Sequence, residues 1–338
     1  MSLRWRPMEP KDIAECVRMV AEHPVVGPRY GKQIKCLEPA WKALLGREGM
    51  KTAIIEREHA GKMRILAAGI SAFVTDSFMR ELKTPPLFWF GPELARRIAA
   101  GESPVLSDRE VCEANSRKGL NLLVWERPLS RDAEDSPAVH GLMVEAYIQA
   151  HRGFLFKEMV TAQSENAEIL QWSMDAGGLF WDAAKSAYVK SAPNMGTAHK
   201  KPHIVGITRE IESQRPSTWV GTLFKYHPPR FGFSRSEQKL LESALEGDRG
   251  TDEELAEHLE VSLARVKKMW LSIYRRVADY DPDAIPDFPR TETDGSQRGK
   301  EKRRLILAYL RDHPEELRPV ARRPLVKKNG SSNRLLAE

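Results

Sequence analysis

The residues best placed to do chemistry in this chain are a run of cations. Between Ser262 and Val277 stand Arg265, Lys267, Lys268, Arg275 and Arg276 without a single carboxylate, whereas Ser236 to Glu260 holds nine carboxylates against Lys239 and Arg249. The cationic run suits a polyanion and its acidic neighbour does not. Projected as a helix at about 100° per residue, Leu263, Val266, Trp270, Ile273, Tyr274 and Val277 share one side, and Ala264, Arg265, Lys268, Leu271, Ser272 and Arg275 share the other. Lys267 and Arg276 fall on the flanks, from which long side chains reach phosphates while the outward face meets base edges. The expected contacts to double-stranded DNA are therefore Ser262, Ala264, Arg265, Lys267, Lys268, Ser272, Arg275 and Arg276. Arg265 is the expected base reader, because a guanidinium donates two parallel bonds to the paired acceptors of guanine.

Such a helix needs elements to hold it, and the sequence supplies their boundaries. Ser234 is followed three residues later by Glu237, and Thr251 three later by Glu254, the reciprocal pattern of a capping box. Two helices are thus predicted to open at 234 and 251. The first carries Leu240, Leu241, Ala244 and Leu245 on one face and stops at Gly247; the second, Asp252 to Leu259, turns Leu255, Ala256 and Leu259 inward. Ser262 reads as the N-cap of the third.

The run DEELAEHLEVSLARVKKMWLSIYRRV resembles the LuxR-type helix-turn-helix, with Val266, Lys267, Ile273, Tyr274 and Arg275 on the family's pattern and FSRSEQKLLESALEG similar to its first helix. It is also similar to region 4 of sigma factors. Two positions depart from the LuxR pattern: Glu260 stands where the turn usually has glycine, and Met269 where the recognition helix often has histidine. The resemblance covers roughly 45 residues of the chain and implies a DNA-binding unit that acts as a homodimer on a two-fold site.

At 338 residues, 41% apolar and 30% charged, the chain has the length for two domains and the composition of a soluble protein with cores. No apolar run nears the roughly 18 residues that span a bilayer, and MSLRWRPMEP lacks the hydrophobic region of a secretory signal, so no membrane association and a cytoplasmic location are expected. Cys16, Cys36 and Cys112 are odd in number and far from any histidine pattern, which argues against disulfides and structural zinc.

Before residue 230 the pattern is mixed. A short strand at the N-terminus, a helix with Ile13, Val17 and Val20 inward, and a second helix from Pro39 to Leu45 precede two strands, Lys51 to Glu58 and Met63 to Asp76, joined as a hairpin around Gly61. Ser77 to Arg117 is irregular apart from a helix at Pro92 to Ala100. A strand at Gly119 to Glu126, a long helix from Ala138 to Met159, a strand near Val160, a helix at Asn166 to Asp175, a turn into a strand at Gly177 to Phe180, and strands at Ile204 to Thr208 and Trp219 to Tyr226 complete it.

This order, the opening LRWRPMEPKDIAECVRMV and the segment Asp175 to Phe180 resemble the GNAT acyltransferase fold over roughly residues 1 to 190. The resemblance implies a site where backbone amides of a glycine-rich loop hold the pyrophosphate of acetyl-CoA. Here the strand ending at Glu126 leads into RPLSRDAEDSPAV, which has no glycine and sets Asp132, Glu134 and Asp135 where an anion would lie. Gln149 to Gly153 comes nearest, inside a helix. The site is expected to be absent or heavily altered, and no cofactor is assigned.

Other candidates for catalysis are thin. Tyr147, His151 and Arg152 fall on the solvated face of the predicted long helix, and Phe88, Trp89, Phe90, Trp125 and Trp172 read as core or as the lining of a pocket. No P-loop, dinucleotide fingerprint, metal-ligand histidine pair or nucleophile elbow occurs, so catalytic and metal residues are both expected to be none.

Beyond Val277, prolines and Asp279, Asp281, Asp283 and Asp287 read as a linker over 281–299. Lys300 to Asp312, with Leu305, Ile306, Ala308, Tyr309 and Leu310, is a basic amphipathic helix within 300–318 that packs on the core, pairs with its copy or lies on phosphates; 319–338 reads as a disordered tail.

The expected architecture is an α/β (α+β) GNAT-like domain over 1–230 that senses a small molecule or a protein, and an all-α helix-turn-helix domain over 231–280. The expected function is DNA-binding transcriptional regulation. An acyl-CoA-dependent N-acyltransferase with a DNA-targeting module is the alternative, and a protein-binding scaffold the third.

Overall fold

The computed structural model describes residues 3–59, 61–190, 202–214, 218–245, 251–280, 285 and 296–321. The chain forms two compact units, Met1–Lys225 and Tyr226–Glu338. Phe231 and Phe233 belong to the core of the second unit.

In the first unit a strand β1 (Leu3–Arg6) leads to helices α1 (Ile13–Glu22), α2 (Val26–Tyr30) and α3 (Leu37–Leu44), then to β2 (Met50–His59) and β3 (Lys62–Val74). Next come α4 (Asp76–Lys83), α5 (Phe90–Ala99), α6 (Asp108–Ser116), β4 (Leu120–Glu126), α7 (Pro137–His151), β5 (Phe156–Ser164) and α8 (Ala167–Asp175). β6 (Leu179–Asp182), β7 (Ala187–Val189), β8 (His203–Thr208) and α9 (Arg209–Ser213) follow. The strands form one mixed sheet in the order β1-β2-β3-β4-β5-β8-β6-β7. Its pairings are antiparallel except β4 with β5.

Strand alternation gives the sheet two apolar faces. Ala68, Ile70, Ala72 and Val74 of β3 pack with α1, α3, α4 and α5, while Phe73 points to the opposite face with Leu120, Leu122, Phe156 and Met159. The β2–β3 hairpin turns at Gly61, whose φ of 73° favours glycine. Arg6 pins the first edge, donating to Asp12 at 2.6 Å and to Glu56 at 3.0 Å.

Three expectations fail here for local reasons. The helix predicted over Ala138 to Met159 stops at His151; Gly153 has φ 84°, and Phe156 to Met159 belong to β5. The strand predicted at Trp219 to Tyr226 is instead a 3₁₀ turn, Gly221–Phe224, burying Val220, Leu223 and Phe224 at helical spacing. The irregular stretch contains α4 and α6, which Thr75 and Ser107 cap; Ser107 and Glu110 form a capping box of the kind recognised elsewhere in the chain.

The second unit holds α10 (Arg235–Leu245), α11 (Asp252–His258), α12 (Leu263–Tyr280) and α13 (Ser296–Asp312), with no strand among its described residues. Ser234 and Glu237 exchange bonds at 2.6 and 3.4 Å, Thr251 and Glu254 at 3.1 and 3.2 Å, and the Arg265 amide donates to the Ser262 hydroxyl at 3.2 Å. The turn after α11 closes with Val261 N–H on the Ala256 carbonyl at 2.9 Å, and Glu260 takes the left-handed conformation, φ 53°, that glycine adopts more easily.

α13 begins at Ser296, inside the stretch expected to be linker, and ends at Asp312. Its Ile306 and Leu310 are buried in the second core beside Trp270 and Ile273, so of the three roles open to it packing is the one observed. Arg303 lies 4.5 Å from the centre of the Trp270 ring and reaches Asp252 of α11 at 3.0 Å. The chain then turns back: Glu316 accepts the amides of Arg230 and Phe231 at 2.7 and 3.1 Å, and Gln238 donates to the Glu316 and Arg318 carbonyls. Pro319 is buried, which shortens the expected tail; 322–338 lies outside the described residues.

Two predictions follow from this packing. Trp270→Ala removes a ring that is 4% exposed and covered by Arg303, and should cost about 3 to 5 kcal/mol in denaturant unfolding of the second unit. Glu260→Gly relieves the left-handed backbone and should raise the unfolding free energy from the same measurement by about 1 kcal/mol.

Candidate functional site

α12 turns its faces to opposite surroundings. Val266, Ile273 and Val277 are fully buried, while Ser262 before it and Ala264, Arg265, Lys267, Lys268, Ser272 and Arg275 along it are exposed. Leu271, at the centre of that outer face, is 53% exposed. The side chains of Arg265, Lys267 and Lys268 have no hydrogen bond or ion pair among the described residues.

Two expected contacts are tied to Glu237 of α10. The Ser272 hydroxyl donates to Glu237 Oε1 at 2.6 Å, and Arg276 Nε lies 3.5 Å from Glu237 Oε2. Burial opposes the charge on Glu237, but bonds from Ser272 and Ser234 and the nearby Arg276 hold its pKa below the ordinary glutamate value. A helical projection places residues around one axis and carries no information on the carboxylate of a neighbouring helix, so this tie was not legible. Met269, which stands where the LuxR pattern often has histidine, is 6% exposed in the core. The helix also runs past Val277 to Asp279 and Tyr280, which with Lys268, Arg275 and Arg276 border a shallow groove of about 340 Å³.

The first unit contains a cleft where the sheet comes apart. β4 and β5 pair in parallel from Leu120↔Phe156 to Leu123↔Val160 and no further, although β4 runs on to Glu126 and β5 to Ser164. Just past the last pair each strand carries an extra residue against its other neighbour: Trp125 in β4 against β3, and Thr161 in β5 against β8. A bulge bends and twists its strand, and two of them at one level steer the strands apart.

The gap opens into two cavities that share Val124, Arg127 and Thr161 as walls. One, of about 290 Å³, lies against α7 and α8. It contains His151, which is 2% exposed, contrary to the expected solvated face. His151 Nδ1 is 2.7 Å from the Tyr147 carbonyl, which can only accept, so Nδ1 carries a proton, and Nε2 shares a hydrogen bond with the Ser71 hydroxyl at 2.7 Å. The Tyr147 hydroxyl is buried without a hydrogen-bond partner among the described residues. Trp172, expected as core or pocket lining, is 62% exposed at this mouth.

The other cavity, of about 450 Å³, lies against α2 and the start of α5. Its polar centre is Glu126, which accepts from the Tyr30 hydroxyl at 2.6 Å. Burial raises the Glu126 pKa to about 7 despite the Tyr30 bond and the nearby Arg29 and Arg127. Sequence reasoning missed Glu126 and Ser71; the only signal was a carboxylate closing an apolar strand, GLNLLVWE.

The loop after β4 does not suit a pyrophosphate. Several of its amides are committed internally: Ser130 N–H to the Leu66 carbonyl, Ala133 to Ser130 and Ser136 to Ala133. α7 opens with Pro137, which has no N–H, and Asp132 is paired with Arg64 at 2.6 Å.

The raised pKa of Glu126 has a measurable consequence. Its protonated form is favoured by the fold, so its contribution is full below about 4.5, declines as pH rises, and is lost above about 7. Glu126→Gln should leave stability near pH 4.5 unchanged and raise it at pH 8 by about 2 kcal/mol, read from urea unfolding at the two pH values.

No protein-family model matches the chain, and no curated protein matches it. Among solved structures it is similar to mutant forms of the spermidine/spermine N-acetyltransferase SpeG from Vibrio cholerae, at 8% identity and a TM-score of 0.34 over 64% of this chain and 100% of the other. It is likewise similar to an uncharacterised protein from Bacillus halodurans, at 10% identity and a TM-score of 0.34 over 65% and 90% of the two chains. Likenesses this loose bear on neither activity nor ligand.

Proposed function

We propose that the protein is a DNA-binding transcriptional regulator whose second unit, of LuxR-like helix-turn-helix form, reads double-stranded DNA through α12. The observation that carries this reading is the outer face of that helix: Arg265, Lys267 and Lys268 project without internal partners from a helix whose opposite face is anchored in the core. Ala264 and Leu271 add apolar surface of the kind that meets thymine methyl groups, and Ser262 offers its hydroxyl at the helix start. The acidic α11, with Asp252, Glu253, Glu254 and Glu257, keeps phosphates off its own surface, which gives the encounter a direction. Pairing of two copies on a two-fold site belongs to the same proposal, as does a sensory role for the GNAT-like first unit.

A second reading, acyl transfer, is favoured by one observation: strands β4 and β5 part and leave a cleft with polar groups inside it. Against it stand the committed amides, Pro137 and the carboxylates of the loop that would have to hold a pyrophosphate. No step through an acyl-CoA is derived.

The DNA reading is tested by base selection and by salt. Lys267→Ala should flatten the slope of log K against log salt by about one counterion, whereas Arg276→Ala, which severs a tie to Glu237, should act mainly on stability. Arg265→Ala should relax preference at one base position, a discrimination of roughly 1 to 3 kcal/mol, while non-specific binding falls little. Selection from random DNA that returns the same sequence logo for wild type and Arg265→Ala removes Arg265 as reader; an unchanged salt slope in Lys267→Ala removes the placement of α12.

A further inference from the structure

The larger cavity of the first unit is lined by two cations that pair with no carboxylate among the described residues. Arg29 lies with its guanidinium carbon 4.2 Å from the centre of the Trp89 ring, and its Nε and Nη2 are closed off from solvent with no acceptor among the described residues. Arg127, on the wall common to both cavities, has no hydrogen bond or ion pair there either. For Arg29, a guanidinium stripped of water at two nitrogens and given no acceptor is a costly arrangement, and burial lowers its pKa accordingly, whereas Arg127 is exposed at the cavity wall.

The carboxylates nearby do not relieve it. Glu126 lies near both guanidiniums without pairing with either, and its carboxyl is engaged by Tyr30. Glu165 acts on Arg29 only at a distance, and Glu134 and Asp135 are exposed at the cavity rim. There is no room for a side chain at Gly91, where a Cβ would come within 2.6 Å of Glu126 Oε1 and 2.8 Å of the Tyr30 hydroxyl, so the polar centre is closed on that side and open toward the cavity.

We infer that this cavity binds a small organic anion, a carboxylate or a phosphate on an aromatic or apolar body, with Arg29 and Arg127 receiving the anionic group and Trp89 lying against the body. A planar fork suits either oxyanion, and a ring already stacked under one fork presents the apolar surface beside it. The volume of about 450 Å³ is that of a site for a small molecule. The inference does not depend on DNA binding, and Lys267→Ala, in the second unit, serves as a variant that should leave it untouched.

The test is isothermal titration of the full chain with benzoate, phenyl phosphate and neutral benzamide. One or both anions should bind, and benzamide should bind about tenfold more weakly or not at all. Benzoate against phenyl phosphate distinguishes carboxylate from phosphate. Arg29→Met and Arg127→Met, checked for an unchanged unfolding midpoint, should each weaken the preferred anion about tenfold. Absence of binding by both anions at about 10 mM, equal binding of benzamide, or indifference of folded variants overturns the assignment; the first two comparisons use wild-type protein and so stand even if a variant fails to fold.

Discussion

Everything in the first unit depends on two parallel strands that pair for four positions and then stop. β4 and β5 are neighbours from Leu120↔Phe156 to Leu123↔Val160, and bulges at Trp125 and Thr161 turn them apart. Parted strands expose main-chain and side-chain groups to the interior of the sheet, and the cavities on its two faces are the result. The residues with unusual surroundings gather there: the Ser71–His151 bond, the buried Tyr147 hydroxyl, Glu126 with its raised pKa, and the uncompensated Arg29 and Arg127. Their chemistry follows from a failure of strand pairing that the rest of the sheet, covered by helices on both faces, is stable enough to carry.

In the second unit α10 and α11 are short helices, and short helices need tertiary contacts. The contacts come from both ends of the unit: Phe231 and Phe233 before α10, and Ile306, Leu310 and Leu317 after a long excursion. The buried Glu316 carboxylate closes the circuit by accepting two amides from the segment that enters the unit. A three-helix description therefore leaves out the part of the core that α13 contributes, and the Arg303 stack on Trp270 is what that part adds to the back of α12.

The sequence was most legible where the physics is local. Capping boxes at Ser234 and Thr251, the N-cap at Ser262 and the inward stripe of Val266, Trp270, Ile273 and Val277 can all be read from spacing, because a cap and a helical face involve residues within one or two turns. The hairpin around Gly61 is of the same kind. The cleft was not legible, because Ser71 meets His151 across 80 residues and Tyr30 meets Glu126 across 96, and no periodicity encodes such meetings. α13 as a core element was only one of three readings, since an apolar stripe states that a face will be buried and not against what.

The bond from Ser272 to Glu237, with Arg276 beside it, has a consequence for the azimuth of α12. A helix packed only by apolar side chains can roll about its own axis at small cost, and a roll of even part of a residue's step swings Arg265 sideways across a groove. Glu237 is fixed to the start of α10 through the Ser234 amide and grips α12 from below, as a key holds a shaft against rotation. The helix thus meets any partner with its rotational setting already chosen, and the ordering entropy that a loosely seated helix would surrender at docking has been given up at folding instead.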